Sequence, residues 1–310
     1  MKKLQSLILT LFFYFIITTI YAQEDKLTVN TKTNEDKSVS FTAEFKSPGT
    51  YTVILNFKEL SNSNNVGDNT YKVKYSGQSF LTLKPSNKDQ GIGYSFSYSY
   101  IRGELNPKYD KEFIYTLPYT NGKKVRVGES SFVNATYFGT TTPPDWKVYR
   151  FFTSQSDTVT AIRKGIVVSI KDIYDMDESG KQTYTSQVNA VIIEHADGSL
   201  ATYRGFRKGL YVKLAQVVFP GSPIGLSSNN SGNGQFNISL MLTYLKSVDF
   251  AKKQEVKESK SMYGFITPYF YNLVNGKEIL INNQNYFVVN SPVILQKEMT
   301  KKELKNLVKQ

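Results

Sequence analysis

Hydrophobic and polar positions alternate in short runs along most of the chain. Before Pro118, about seven such runs are separated by polar or glycine-containing turns, and the clearest are 38–45, 51–57 and 94–100. Alternation places every second side chain on one face of a strand. Residues 23–118 are therefore predicted to fold as an immunoglobulin-type β-sandwich.

A second group of short β-type runs follows between Asp157 and Leu245. These runs are interrupted by turn residues, among them Asp197-Gly198 and Pro223-Ile-Gly225. The pattern predicts a second all-β unit over residues 146–245. A linker over residues 119–145, which includes an extended Thr/Pro stretch, is expected to join it to the sandwich.

The last part of the chain, residues 246–310, is predicted to be a β extension with a basic tail. Its β-type segments include the aromatic run 264–271. Residues 298–310 carry Leu304 and Leu307 at helical spacing and predict a short basic helix, either packed or frayed.

The N-terminus has the pattern of a secretory signal peptide over residues 1–22. Lys2 and Lys3 precede the apolar run 7–20, and Ala22 supplies a small residue at the predicted cleavage point. A membrane anchor is the alternative, but the run is shorter than the roughly 20 residues that a spanning helix needs. We therefore expect export across the inner membrane, to the periplasm or the cell envelope, with no transmembrane span after cleavage.

The amino-acid composition excludes several kinds of chemistry. The chain has no cysteine, which excludes disulfides, cysteine nucleophiles and a lipid-modified N-terminal cysteine.

The formal net charge of the chain is +12, and removing Lys2 and Lys3 with the signal peptide leaves +10. A basic exported protein is drawn to anionic envelope polymers, although a generally solvated basic surface is the alternative. No aromatic-basic motif or basic helix points to nucleic acid.

The second unit carries an ordered series of motifs: Ile-x-His-x-Asp-Gly, Thr-Tyr and Pro-Ile-Gly. In this order the segment 146–242 resembles the lysostaphin/LytM-type zinc metallopeptidases, which cut peptide cross-links in bacterial cell walls. The resemblance implies a LytM-like β-barrel of the lipoyl/duplicated hybrid motif type. The matching positions are Val159, Ala161, Gly165, Ile193, His195, Asp197, Gly198, Thr202, Tyr203, Val212, Pro223, Ile224 and Gly225.

The resemblance breaks down at the positions that bind zinc in the family. The family uses a histidine and an aspartate of a first motif and the second histidine of a His-Leu-His strand. Here the aspartate falls on Arg150, and His-Leu-His falls on Asn237-Ile-Ser239. A further family histidine falls on Gly205. The single histidine of the chain, His195, matches a framework position and is predicted to be structural.

These substitutions argue against metal chemistry. Zinc needs nitrogen, sulfur or carboxylate donors at about four tetrahedral positions. Arg150 instead supplies a permanent cation. We therefore predict that the chain is not an enzyme but a pseudoenzyme of this family, with no cofactor. The alternative is an active peptidoglycan metalloendopeptidase with an atypical site.

The groove that the resemblance implies is the remaining candidate site. Arg150 could bind a carboxylate of a wall peptide or of a partner, or it could fill the vacated metal position through a structural ion pair. The predicted function is that of an exported, non-catalytic, LytM-like cell-envelope protein. It would bind peptidoglycan, another anionic envelope polymer or a protein partner, as a regulator of a wall hydrolase or a subunit of an envelope complex. The predicted groove residues are Arg150, Tyr203, Arg204, Asn237 and Ser239.

One other segment has a pattern suggestive of a ligand. The acidic loop 172–187 partly matches a calcium loop, with Asp175 and Asp177 at alternate positions and Gly180 at the sixth. Ser186 stands where a calcium loop has its bidentate glutamate, so a solvated hairpin loop is the alternative.

Overall fold

The computed structural model describes residues 26–63, 69–131, 142–175, 187–229, 235–249 and 262–307. The predicted signal peptide and the centre of the acidic loop lie outside these ranges. Within them the chain forms nineteen β-strands and two short helices, which confirms the all-β prediction. Neither helix in this part of the chain is long and apolar enough to cross a membrane.

The N-terminal unit consists of two three-stranded antiparallel sheets. Their strand orders are β1-β2-β5 and β4-β3-β6. Phe41 of the first sheet packs against Phe57 and Phe96 of the second, with ring centroids 5.8 and 5.2 Å apart. The two apolar faces thus form one core. The six strands are β1 Thr28–Thr33, β2 Val39–Glu44, β3 Tyr51–Ser61, β4 Thr70–Val73, β5 Gln78–Leu83 and β6 Gly93–Arg102.

The second unit is built on a nine-stranded antiparallel sheet. Its order is β14-β11-β12-β13-β16-β9-β8-β19, and β17 also pairs with β16. Two further pairs, β7 with β18 and β10 with β15, lie outside this sheet. The strands are β7 Ile114–Tyr115, β8 Lys124–Glu129, β9 Tyr149–Thr153, β10 Thr158–Thr160, β11 Gly165–Lys171, β12 Asn189–Glu194, β13 Leu200–Phe206, β14 Val217–Val218, β15 Pro223–Leu226, β16 Phe236–Leu245, β17 Tyr263–Ile266, β18 Tyr269–Phe270 and β19 Asn285–Phe287.

The core of this unit lies on one face of the large sheet. Tyr203 and Leu240, from β13 and β16, are buried there together with Tyr115 of β7, Val159 of β10 and Phe270 of β18. The two small strand pairs therefore cover the inner face. The outer face carries the alternate residues of the same strands, and these are available to form a site.

Two segments pack in the second unit, although the sequence predicts them to lie outside it. Strand β8 falls within the predicted linker, residues 119–145, yet Val125 and Val127 are fully buried in the core of the second unit. Residues of the predicted sandwich, Phe113 to Leu117, pack in the same core. Neighbouring strands supplied from distant parts of the chain draw both segments into the second unit.

The sandwich contacts the outer face of the large sheet at one end. The carboxylate of Glu194 accepts hydrogen bonds from both the backbone N–H and the hydroxyl of Thr50. Gly49 beside it has φ +101°, and a Cβ there would lie 2.6 Å from Cγ1 of Val168. Only glycine permits this close approach.

Two helices follow β19, α1 over Pro292–Leu295 and α2 over Lys301–Leu307. The hydroxyl of Thr300 accepts the backbone N–H of Glu303, and the Glu303 carboxylate accepts the N–H of Thr300. This reciprocal capping starts α2 inside the predicted terminal helix, whose last residues, 308–310, lie outside the described ranges.

Candidate binding groove

The outer face of the large sheet carries a polar row across three neighbouring strands. The strand pairing sets Arg150 of β9 opposite Ser239 of β16, and Ser239 opposite Arg204 of β13. Directly opposed residues on antiparallel strands have side chains about 5 Å apart. The structure therefore brings three of the five predicted groove residues together, all partly exposed.

Asn237 lies two residues before Ser239 on the same face and fixes the position of Arg150. Nη2 of Arg150 donates a hydrogen bond of 2.8 Å to Oδ1 of Asn237, which is only 1% exposed. The amide nitrogen of Asn237 donates in turn to the carbonyl of Gln235, at 3.3 Å. A buried amide of this kind holds the guanidinium in one orientation.

An aromatic ring and a second arginine extend the row. The pairing places Phe152 opposite both Asn237 and Arg126 of β8. The guanidinium carbons of Arg126 and Arg150 lie 4.1 and 5.0 Å from the centroid of the Phe152 ring. Two cations thus flank one ring, an arrangement that stabilises them on this face. The sequence interpretation missed Arg126, although the alternation through 124–129 is a signal for a strand.

Tyr203, the fifth predicted residue, lies on the other face of the sheet. Its side chain is fully buried in the core, and its hydroxyl accepts the backbone N–H of Ile162 at 2.9 Å. Burial raises the pKa of this phenol well above its usual value. Tyr203 therefore supports the sheet from beneath and does not line the groove.

His195 lies at the end of β12, away from the polar row. Its Nδ1 is 2.9 Å from the carbonyl oxygen of Lys164, and its backbone closes the turn to Ser199. Burial, with the nearby charge of Arg163, lowers the pKa of the imidazole to about 4. The ring is thus neutral at pH 7 and donates from Nδ1.

We expect His195→Ala to lower the free energy of unfolding at pH 7 by about 2 kcal/mol and to leave groove binding intact. The folded pKa of about 4 lies below the unfolded value of 6.5, so the unfolded state binds more protons between them. Wild-type stability should therefore be full above pH 6.5 and fall toward pH 4, more steeply than in the variant. Urea unfolding at several pH values measures both effects. Lost binding with unchanged stability would make His195 a site residue.

The groove residues do not form a zinc site. A guanidinium repels a metal cation, and the neutral amide and hydroxyl of Asn237 and Ser239 are poor zinc ligands. Within the ranges that the structure describes, no three His, Cys, Asp or Glu side chains cluster closely enough to hold a metal ion. The polar row instead offers hydrogen-bond donors and positive charge.

Comparison with known proteins gives structural neighbours only. No family model and no curated protein matches the chain. One similar solved structure is pseudoalterin, described as a novel M23 metalloprotease from the deep sea: 13% identity, TM-score 0.31, covering 57% of this chain and 96% of that one. Another is a zinc containing peptidase from Vibrio cholerae: 15% identity, TM-score 0.30, covering 70% of this chain and 74% of that one.

Proposed function

We propose that this chain is an exported, LytM-like protein of the cell envelope whose groove binds a ligand without cleaving it. One observation carries the proposal: Arg150, which the sequence resemblance matches to a zinc ligand of the peptidases, is held by a buried Asn237 beside Ser239 and Arg204. The site keeps an ordered set of donors on the outer face while lacking metal ligands.

The charge of the groove favours an acidic ligand. Arg126, Arg150 and Arg204 lie on one face of the sheet, and a planar guanidinium pairs well with carboxylates through two parallel hydrogen bonds. The stem peptides of peptidoglycan and the acidic segments of envelope proteins both carry such groups. The mature charge of +10 would add a long-range attraction to the envelope.

Two roles fit a binding groove of this kind. The chain could regulate a wall hydrolase by presenting or withholding peptidoglycan, or it could be a subunit of an envelope complex. A pull-down from isolated envelopes, with wild type and Arg150→Glu as baits, tests these roles. We expect peptidoglycan or a specific protein to be captured by the wild type alone.

The alternative, an active peptidoglycan metalloendopeptidase with an atypical site, predicts bound metal. We expect far less than one equivalent of zinc per chain in mature protein purified after equilibration with zinc, because the groove lacks suitable donors. Elemental analysis by mass spectrometry measures this directly. One equivalent of zinc that is lost on Asn237→Ala would support the enzyme.

A further inference from the structure

A cavity of about 930 Å³ lies apart from the groove, between the N-terminal sandwich and the β14 edge of the large sheet. Its floor is apolar and comes from Ile166, Val168, Leu214 and Val217. Sandwich residues form the opposite wall, and the segment around α2 closes one end. The cavity shares no residue with the Arg150 groove, so a ligand here would be independent of the function proposed above.

Three of the four floor residues, and a tyrosine on the opposite wall, are open to solvent. Ile166, Leu214 and Val217 are 43%, 47% and 46% exposed, and Tyr75 on the sandwich side is 66% exposed. Single exposed apolar residues are ordinary, but a contiguous group that lines a concave surface is typical of a binding site. The cavity is also within the size range of small-molecule sites, about 300–1,000 Å³.

The carboxylates around the cavity are already engaged by the protein. Glu194 accepts two hydrogen bonds from Thr50, and Glu303 is paired with Lys164 at 2.8 Å. The third, Glu298, is paired with Arg163 at 2.7 Å. Glu298 and Glu303 are therefore paired with cations of the protein, whereas Glu194 keeps its negative charge and has both oxygens held by Thr50.

Two lysines on the sandwich wall remain available. Lys46 and Lys74 both line the cavity and are exposed, and neither ammonium has an acidic partner within the described part of the chain. A cationic rim above an apolar floor complements a molecule that has an anionic end and an apolar body.

We propose that this cavity binds a single-chain amphiphile with an anionic head group. The hydrocarbon chain lies along Ile166, Leu214 and Val217, and the head group pairs with Lys46 and Lys74 at the rim. A fatty acid and a lysophospholipid share this chemistry.

Isothermal titration of the full mature protein with myristate, below the critical micelle concentration, tests the site. We expect saturable binding of one myristate per chain. Monomyristin, which has the same acyl chain and a neutral head, should bind about tenfold more weakly because it gains nothing from the lysines. Myristoyl lysophosphatidylglycerol is the third probe, and whichever anionic probe binds more tightly identifies the source of the ligand. No saturable binding of either anionic probe overturns the proposal.

Variants locate the two parts of the site. Val217→Asp should weaken myristate binding about tenfold or more, whereas Val293→Asp, at a 76% exposed valine outside the cavity, should have no effect. Equal losses in both variants would overturn the assigned floor. Both valines are exposed enough for the chain to fold, and an unchanged thermal unfolding midpoint confirms this for each variant.

The head-group pairing has its own matched test. Lys46→Glu with Lys74→Glu should weaken myristate binding about tenfold and leave monomyristin binding unchanged. The control replaces two exposed lysines outside the cavity, Lys108 and Lys111, by glutamate. If the control weakens myristate binding as much, only diffuse charge matters and the rim is not the head-group site.

Discussion

Replacing Arg163 with methionine is expected to lower the free energy of unfolding by about 3 kcal/mol. The Arg163 side chain is only 3% exposed and joins two distant parts of the second unit. Its Nη1 donates to Asp197 at 2.7 Å, and its Nε and Nη2 donate to the two oxygens of Glu298 at 3.0 and 2.7 Å. The guanidinium also lies 3.7 Å from the ring centroid of Phe113.

The protein loses stability because the substitution leaves two carboxylates without their cation. Burial alone would raise the pKa of Asp197, but hydrogen bonds from Ser199 and the charge of Arg163 hold it below its usual value. Methionine preserves much of the volume yet leaves Asp197 and Glu298 without their cation, and an unpaired, partly buried carboxylate is costly.

Urea unfolding followed by circular dichroism at pH 7 measures this difference. Lys164→Met is the matched control, since it removes an ion pair with Glu303 in which both side chains are more than a fifth exposed. Such partly exposed ion pairs contribute little to stability. A loss for Arg163→Met no larger than for the control would show that the buried arginine does not join the C-terminal segment to the core.

The second large effect concerns binding. Arg150→Glu should weaken the affinity for isolated peptidoglycan about tenfold or more, because the carboxylate would repel acidic groups where the guanidinium paired with them. Co-sedimentation at low and moderate ionic strength measures the bound fraction. Wild-type binding should also weaken with salt as the charges are screened.

Lys305→Glu provides the control for total charge. It makes the same change in net charge on α2, where Lys305 is exposed and far along the chain from the groove strands. We expect a small effect from this variant. Equal losses in the two variants would mean that envelope binding depends on overall charge and that the groove is not the site.

The alternation of apolar and polar residues predicts the all-β fold class, as strand β8 illustrates. In β8, Val125 and Val127 are buried while Arg126 is partly exposed. The sequence places this strand in the linker, whereas in the structure it pairs with β9 and β19. Local pattern indicates that a strand exists, but the pairing that recruits it depends on long-range packing.

The same distinction applies to the groove. The family resemblance predicts that Arg150 and Ser239 lie near each other, and the strand pairing sets them opposite each other. Tyr203 and Arg204 could not both face the groove, since adjacent residues of a strand point to opposite faces. The contact between Arg163 and Glu298 joins residues 135 positions apart, and neither residue carries a local signal for it.

Release of soluble muropeptides from purified peptidoglycan distinguishes a groove that only binds from one that cleaves. Mature protein should be incubated with the polymer in the presence of added zinc, with a parallel sample containing a chelator. Because Arg150, Asn237 and Ser239 cannot hold the metal, we expect protein to bind the pellet and no fragments to be released above background. Fragment release that the chelator abolishes would contradict a binding groove without catalysis and would establish the peptidase instead.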